Sequence, residues 1–381
     1  MIRNFLRFNK ILSEQQNLIL SSVNSFANDY LKLRINDDYK NEIVDRNIFK
    51  EMGNLGIFGP TIKGYNCIGE NNLTYGLISK EIESIDSGYR SMFSVQSSLV
   101  MLPIYNFGSE YLKNKYLPEL AKGNLIGCFG LTESNHGSDP SNIESKAYEE
   151  NDHYILNGSK MWITNSPIAD IFVIWAKHED ILKGFVLERD FPGVSTSFIK
   201  DKLSLKASPT GIINLIDVKV PKSNVLNIQG YKGPFTCLNS ARFGISFGVL
   251  GVTEICLHEI IDYLQNRNQF GNLSSKQLIQ NKLADIFTNY NTSLSLCYQV
   301  AKCLDDNDYI PEMISMAKRN SCETALNATR MCRDMYGGNG IILDYNIFRH
   351  MTNLETVKTY EGTHDIHGLI IGKYLTNKSA F

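Results

Sequence analysis

The sequence lacks the features that mark several classes of protein. Neither sign of charge is in excess, since 38 Lys and Arg face 40 Asp and Glu, so we expect no nucleic-acid partner. The eight cysteines form no Cys-x-x-Cys pair and fit reduced, mostly buried thiols. There is no P-loop, and no Gly-x-Gly-x-x-Gly follows a strand, which leaves a nicotinamide-binding domain unsupported. No apolar run reaches the length of a membrane span, so we expect no membrane insertion.

The first ten residues are basic and faintly amphipathic, but they are too short for a transit peptide. We therefore expect a cytoplasmic protein if the source is bacterial, and a mitochondrial matrix protein if it is eukaryotic.

The spacing of apolar residues changes twice along the chain. It is helical at first, for example over residues 73–82, becomes short and alternating, as over 171–175, and then turns helical again. The dipeptide Asn157-Gly158 is typical of a tight turn and predicts a β-hairpin. Helices followed by strands and then by helices indicate an α+β chain rather than alternating βαβ units. The predicted parts are an N-terminal all-α domain (1–125), a middle β domain (126–225) and a C-terminal α-helical bundle (226–381).

Glu361 is the candidate catalytic base. It lies between the aromatic ring of Tyr360 and Gly362, where apolar walls would raise the pKa of a carboxylate toward the range suited to proton abstraction. Thr363 fits a helix N-cap, and Asp365 would lie in the first turn of that helix. The alternative is an ordinary solvated Glu in a surface loop, and these few residues alone do not decide between the two.

Five segments together resemble the acyl-CoA dehydrogenase family of flavoproteins, and within it the glutaryl-CoA dehydrogenases. They keep the family's order along the chain: SGYRS (87–91), CFGLTESNHGSDP (128–140), WITNS (162–166), DMYGGNG (334–340) and TYEGTHDIH (359–367). The resemblance runs from about residue 10 to the C-terminus. It implies a helical domain, a central β-barrel-like domain and a C-terminal helical bundle.

The resemblance implies an FAD cofactor between the β domain and the C-terminal helices. Two segments would contact the isoalloxazine ring, namely Phe129, Gly130, Leu131 and Thr132 together with Trp162, Ile163 and Thr164. The phosphates and the adenine would be held by Gly137, Ser138, Asp334, Met335, Tyr336, Gly337, Gly338, Thr363, His364 and Asp365. Arg267 and Gln277 would reach FAD from a neighbouring subunit, which implies an oligomer, and we expect a homotetramer.

The resemblance also implies an acyl-CoA substrate. Arg90 would bind the distal carboxylate of glutaryl-CoA, because a guanidinium fits a carboxylate with two hydrogen bonds. Other residues implied to contact the substrate are Glu83, Ser91, Ser94, Ser138, Phe235, Asn239, Arg242, Tyr360 and Gly362. Arg242 has the alternative of a buried ion pair, and Arg90 that of a surface charge. His364 and His367 lie one helical turn apart, as metal ligands often do, but no third ligand cluster accompanies them, so we expect no metal.

The implied reaction is FAD-dependent oxidative decarboxylation of glutaryl-CoA to crotonyl-CoA and CO2, with electrons passed to electron-transferring flavoprotein. The alternatives are a glutaryl-CoA dehydrogenase that does not decarboxylate, a short- or branched-chain acyl-CoA dehydrogenase, an acyl-CoA oxidase, and a flavoprotein scaffold without catalysis. A scaffold has no use for a base beside a flavin.

Overall fold

The structure is a computed structural model that describes residues 5–380; Met1 to Asn4, part of the basic start, lie outside the described residues. Helices precede the sheet, as predicted. These are α1 (Glu14–Phe26), α2 (Lys32–Asn41), α3 (Asn47–Asn54), α4 (Asn72–Glu83), α5 (Ser87–Ser94), α6 (Leu102–Phe107) and α7 (Glu110–Ala121). The region expected to be all-α also contains a small antiparallel hairpin of β1 (Lys63–Gly64) and β2 (Cys67–Ile68).

Arg90 lies in the short helix α5, which is separate from the longer helix α4 before it. Helix α4 ends at Glu83, and α5 begins anew because the Asp86 side chain accepts a hydrogen bond from the Gly88 N–H at 2.6 Å. A π-helical stretch, Val95–Met101, continues α5 into α6. The restart at Asp86 fixes the direction of the helix that carries Arg90.

The middle of the chain forms one sheet of eight strands. The strands are β3 (Gly127–Gly130), β4 (Lys146–Glu150), β5 (His153–Thr164), β6 (Ile171–His178), β7 (Ile181–Glu188), β8 (Val194–Phe198), β9 (Thr210–Pro221) and β10 (Val225–Gln229). Their order is β10-β7-β6-β4-β5-β9-β8, and β3 pairs with β6 in parallel. The sheet follows the alternating pattern of the sequence.

The hairpin predicted at Asn157-Gly158 was wrong. Both residues lie inside the long strand β5, where the pairing with β9 shifts register between Leu156 and Gly158. The turn that joins β4 to β5 falls earlier, at Asn151, which has a φ of 55°. A bulge and a tight turn favour the same residues, which is why the local sequence did not separate them.

Long helices follow the sheet and form the C-terminal part. They are α8 (Lys232–Gln265), α9 (Gln277–Asp305), α10 (Pro311–Tyr336), α11 (Ile347–Thr359) and α12 (His364–Thr376). By length and composition α8 is apolar enough to cross a membrane, contrary to the expectation from the sequence, but its apolar stretch is mostly buried in the protein. It packs against α4 and against α10, so it reads as a core helix.

Candidate active site

The loop that carries Glu361 joins α11 to α12 in an unusual backbone conformation. Glu361 has a φ of 53° and Gly362 a φ of 97°, both in the left-handed region. Gly362 adopts this conformation freely, whereas Glu361 does so at an energetic cost that the surrounding structure must offset. The Thr363 side chain caps α12 by accepting from the Ile366 N–H at 3.1 Å, and Asp365 lies in the first turn, so both predictions are confirmed.

Three hydrogen bonds from cationic side chains hold the backbone of this loop. Lys318 on α10 donates through Nζ to the Tyr360 carbonyl at 2.6 Å and to the Gly362 carbonyl at 2.7 Å. Arg242 on α8 donates through Nε to the Glu361 carbonyl at 2.7 Å. Every carbonyl from 360 to 362 therefore accepts from a positive group.

The Glu361 carboxylate is poised to accept a proton. Its Oε2 atom is buried and makes no hydrogen bond to any residue that the structure describes. Burial raises the pKa of this carboxyl above its ordinary value, and the cations of Arg90, Lys318 and Arg242 oppose the shift. A buried carboxylate without a hydrogen-bond donor on one oxygen is a stronger base than a solvated one.

Arg90 is not a surface charge; it lies buried at the centre of a polar cluster. Its Nε donates to Glu83 Oε2 at 2.6 Å, and both side chains are fully buried. Its Nη2 donates to the Tyr360 hydroxyl, and Ser91 Oγ lies 3.0 Å from that same hydroxyl. The guanidinium carbon also lies 5.7 Å from the centroid of the Tyr360 ring. The cluster thus joins Arg90 directly to the residue that precedes Glu361.

The Arg90 guanidinium is charged and retains a free donor. Burial alone would lower the pKa of Arg90. The contacts with Glu83 and Tyr360 outweigh burial and raise that pKa well above its ordinary value. Within residues 5–380, its buried Nη1 finds no hydrogen-bond acceptor. Buried donors are nearly always paired, and an orphan in a functional cluster is where an anionic ligand group would bind.

The Ser94 hydroxyl belongs to a chain of neighbouring hydroxyl groups and not to the Arg90 cluster. Its Oγ lies 3.2 Å from the Tyr75 hydroxyl, which also accepts from Ser98 Oγ at 2.8 Å. Ser98 Oγ is 3.1 Å from Ser240 Oγ on α8. Tyr75 could not be singled out from the sequence, because it lies in an apolar helical pattern.

Gly248 on α8 leaves room for the Glu83–Arg90 pair. A Cβ atom there would fall 1.9 Å from Glu83 Oε2 and 3.3 Å from Arg90 Nε. Any side chain at this position would have to displace the buried carboxylate. Gly248 could not be found from the sequence, because a lone glycine in an apolar helix carries no local signal of such a contact.

A further buried ion pair ties the two helices of the site together. Arg349 on α11 pairs with Asp86, the residue that caps α5, and Asn353 Nδ2 donates to the same carboxylate at 2.8 Å. The helix that carries Arg90 is thereby fixed to the helix that leads to Glu361. Neither partner was predicted, since the two residues lie 263 positions apart.

The structure places the two segments expected at the isoalloxazine ring side by side. The Met161 N–H donates to the Thr132 carbonyl at 2.9 Å, which joins the loop after β3 to the end of β5. The side chains of Phe129, Leu131 and Ile163 are buried. Ile163 would therefore contact the isoalloxazine ring through its backbone and not through its side chain. Trp162 is 56% exposed and has a φ of 62°. A large ring held in a strained backbone conformation and left open fits a planar aromatic cofactor.

The residues expected at the other end of FAD lie on the surface or in the core. Gly337 and Gly338 are exposed, and no described atom would come within 4 Å of an added Cβ, so a ligand has room to approach their backbone. The side chains of Met335 and Tyr336 are packed into the helical core, and their expected role at FAD stays a prediction. Thr363 and His364 are half-buried, and Asp365 is exposed. Further expected residues are exposed near the termini of α8, α9 and α10 and in the loop after β3: Gly137, Ser138, Arg267, Gln277 and Asp334.

Three expected substrate contacts lie near the start of α8. Phe235 is partly exposed, and Asn239 Oδ1 accepts from Arg242 Nη1 at 3.1 Å. Arg242 itself makes no ion pair in the part of the chain that the structure describes; it binds the backbone of the Glu361 loop. His364 Nδ1 lies 3.8 Å from Glu323 Oε2, and His367 Nδ1 lies 3.0 Å from Ser315 Oγ. The two histidines therefore have different partners.

The domains, in order, match those of a known family. Residues 13–124, 128–218 and 229–376 match the acyl-CoA dehydrogenase N-terminal, middle and C-terminal domains. The mitochondrial isovaleryl-CoA dehydrogenase of Pongo abelii is 31% identical over 376 residues, covering 95% of this chain and 89% of that protein. The chain belongs to the acyl-CoA dehydrogenase family, and it is an FAD-dependent oxidoreductase.

Within that family the chain is similar to glutaryl-CoA dehydrogenases. A glutaryl-CoA dehydrogenase from Mycobacterium smegmatis in complex with FADH2 is 42% identical, over 99% of this chain and 98% of that one, with a TM-score of 0.97. A glutaryl-coenzyme A dehydrogenase in complex with glutaryl-CoA is 30% identical over 97% of each chain, with a TM-score of 0.93.

Proposed function

We propose that this enzyme oxidises and decarboxylates glutaryl-CoA to crotonyl-CoA and CO2, with Glu361 as the base. The observation that carries the proposal is the buried Arg90, which has a free Nη1 donor and is joined through Tyr360 to the Glu361 loop. A substrate that ends in a methyl group has no use for a buried cation there. A substrate with a distal carboxylate satisfies it.

The reaction begins at the α-carbon of the thioester. Glu361 removes a proton from that carbon, whose acidity comes from conjugation with the thioester carbonyl. The segment after β3 and the end of β5 would hold FAD, and the bound flavin would supply the acceptor for the hydride from the β-carbon. The product of this half-reaction has a Cα–Cβ double bond and keeps its distal carboxylate.

Decarboxylation is possible because that carboxylate is attached to the γ-carbon. The bond between the γ-carbon and the carboxylate breaks, CO2 leaves, and the electron pair delocalises into the thioester as a dienolate. Protonated Glu361 returns its proton to the γ-carbon, which gives crotonyl-CoA. Burial, which raises the pKa of Glu361, favours its retaining the proton between the two steps.

The test is a product analysis with an added electron acceptor. Equal amounts of crotonyl-CoA and CO2 from glutaryl-CoA are expected. Glutaconyl-CoA without CO2 would indicate the dehydrogenase that does not decarboxylate. Faster turnover of butyryl-CoA or isovaleryl-CoA than of glutaryl-CoA would overturn the substrate assignment and favour the second candidate, a short- or branched-chain acyl-CoA dehydrogenase, which the likeness to isovaleryl-CoA dehydrogenase supports.

The proposed partners are electron-transferring flavoprotein and three further copies of this chain. Arg267 and Gln277 are exposed in the single chain, as residues that reach FAD across a subunit boundary should be. Sedimentation should give a tetramer with about one FAD per chain. Oxygen uptake in the absence of another acceptor would point to an oxidase. We propose the cytoplasm as its compartment in a bacterium and the mitochondrial matrix in a eukaryote.

A further inference from the structure

Lys318 is a buried lysine that forms no ion pair among the described residues. Only 1% of its surface is exposed, and its two hydrogen bonds go to backbone carbonyls at positions 360 and 362. Burial of an ammonium group is costly unless its hydrogen bonds and nearby charges offset the loss of water. An apolar residue would fill the same space on α10 without that cost, so the lysine requires an explanation.

We propose that Lys318 is a positioning residue for Glu361: it clamps the backbone on both sides of the base and supports its negative charge. This inference rests on the proposed role of Glu361 as the base. It assigns Lys318 no contact with the substrate.

Lys318 restrains the backbone of the loop before and after Glu361. Glu361 stands in a left-handed conformation that is unfavourable for a residue with a side chain. One ammonium group binds the Tyr360 carbonyl, in the peptide plane that enters Glu361, and the Gly362 carbonyl, one peptide beyond the plane that leaves it, so it holds both ends of the turn that carries the Glu361 side chain. Arg242 fixes the carbonyl of Glu361 itself but reaches neither neighbouring carbonyl. Lys318 therefore supplies restraints that Arg242 does not.

The positive charge of Lys318 also acts on the Glu361 carboxylate. The charged and titratable groups around Lys318 are Arg242 on α8, Arg90 on α5, Cys322 on α10, His367 on α12, Tyr360 and Glu361. Burial lowers the pKa of Lys318 to about 8, so the group is mostly protonated at neutral pH. Its cation then opposes the effect of burial on Glu361 and keeps more of the base ionised.

The variants separate hydrogen bonding and charge from simple packing. Lys318→Met keeps a long unbranched side chain but removes both donors and the charge. Lys318→Arg restores the donors and the charge. Arg319→Met, on the next residue of the same helix, removes one exposed cation and serves as the matched control.

The first measurement is anaerobic flavin reduction by glutaryl-CoA across pH. Lys318→Met should slow reduction by about 100-fold, the scale of loss when a reacting group is misplaced by about 1 Å. Its acid limb should move to higher pH, because a cation that favours the carboxylate is gone. Apparent substrate affinity should change by less than about threefold. Lys318→Arg should recover most of the rate, and Arg319→Met should match the wild type.

The second measurement is amide hydrogen exchange in the FAD-loaded enzyme. Lys318→Met should speed exchange in the peptide that spans residues 357–367, while the rest of α10 and the melting temperature stay close to wild type. Reduction at the wild-type rate with an unmoved acid limb would overturn the proposal. So would faster exchange throughout the C-terminal helices, or failure of both position-318 variants to fold, since either would make Lys318 a general structural residue.

Glu361→Gln separates this inference from the proposed function. If Glu361→Gln is inactive and Lys318→Met behaves as the wild type, Glu361 remains the base and the clamp is wrong. If Glu361→Gln reduces flavin as fast as the wild type, the proposed function itself fails.

Discussion

Removal of the Arg90 charge tests the substrate assignment, but the structure shows that Arg90 cannot be changed alone. Arg90→Ala would leave the fully buried Glu83 carboxylate without its partner, and loss of one member of a buried pair costs about 3–5 kcal/mol of stability. We therefore choose the double variant Glu83→Gln/Arg90→Met. It removes both charges together and keeps similar volumes, a change that is often close to neutral for stability.

The double variant should distinguish two substrates that differ in one group. The carboxylate of glutaryl-CoA would enter the pocket without a cation, at a cost of about 2–5 kcal/mol. Since about 1.4 kcal/mol corresponds to a factor of ten, kcat/KM for glutaryl-CoA should fall by about 30-fold to several thousand-fold. Butyryl-CoA carries no distal anion, so its kcat/KM should stay within about threefold of the wild type.

The assay is anaerobic flavin bleaching by each substrate, with thermal melting as the control for folding. The ratio of kcat/KM for glutaryl-CoA to kcat/KM for butyryl-CoA tests the role of Arg90, because general damage to the pocket lowers both values and leaves their ratio unchanged. An equal loss for both substrates in a variant that melts like the wild type would show that Arg90 serves structure and not selection. The protein would then be an acyl-CoA dehydrogenase of undefined chain preference.

Three further predictions concern the base and its surroundings. Glu361→Gln should keep FAD and the melting temperature but lose nearly all flavin reduction, because the amide has no usable basic lone pair; stopped-flow bleaching at the wild-type rate would exclude Glu361 as the base. In the wild type, reduction should rise with pH through an acid limb above the ordinary carboxyl value of 4.5, because burial raises the pKa of Glu361 and only its ionised form accepts a proton; a limb at or below that value would contradict the burial argument. Gly248→Ala should lower kcat/KM for glutaryl-CoA at least tenfold, because its methyl group would displace Glu83; Gly248→Ala kinetics like those of the wild type would mean that the carboxylate moves aside without cost.

The sequence predicted the parts of the site that lie within one segment. The Thr363 cap and Asp365 in the first turn belong to residues 359–367, where neighbouring residues carry the signal, and Glu361 as the base stays a prediction from that segment. The left-handed backbone of Glu361 was not predicted. Lys318 could not be found in this way, because it stands beside Arg319 and Asn320 in a polar stretch that resembles a solvated helix face. Its contacts lie 42 and 44 residues away and become visible only when α10 packs against the loop.

The fold shows the same division between local and distant information. The change from helical to alternating spacing correctly predicted helices, then a sheet, then helices, because each element carries its own periodicity. The bulge at Gly158 was mistaken for a turn, since the pairing of β5 with β9 decides it and β9 begins some fifty residues later. The apolar length of α8 was underestimated, although its burial between α4 and α10 explains that composition.

The contact between Arg90 and Tyr360 spans 270 positions of the chain, and this has a consequence for synthesis. Translation delivers α4 and α5 early and the Glu361 loop late, so Arg90 can receive the Tyr360 hydroxyl only after nearly the whole chain has been made. The Glu83–Arg90 pair also lies against Gly248 of α8, so the elements that enclose it are all made later than the helices that carry it. The sheet can therefore form before the cluster around Arg90 is complete, and that cluster is among the last parts of the fold to be finished.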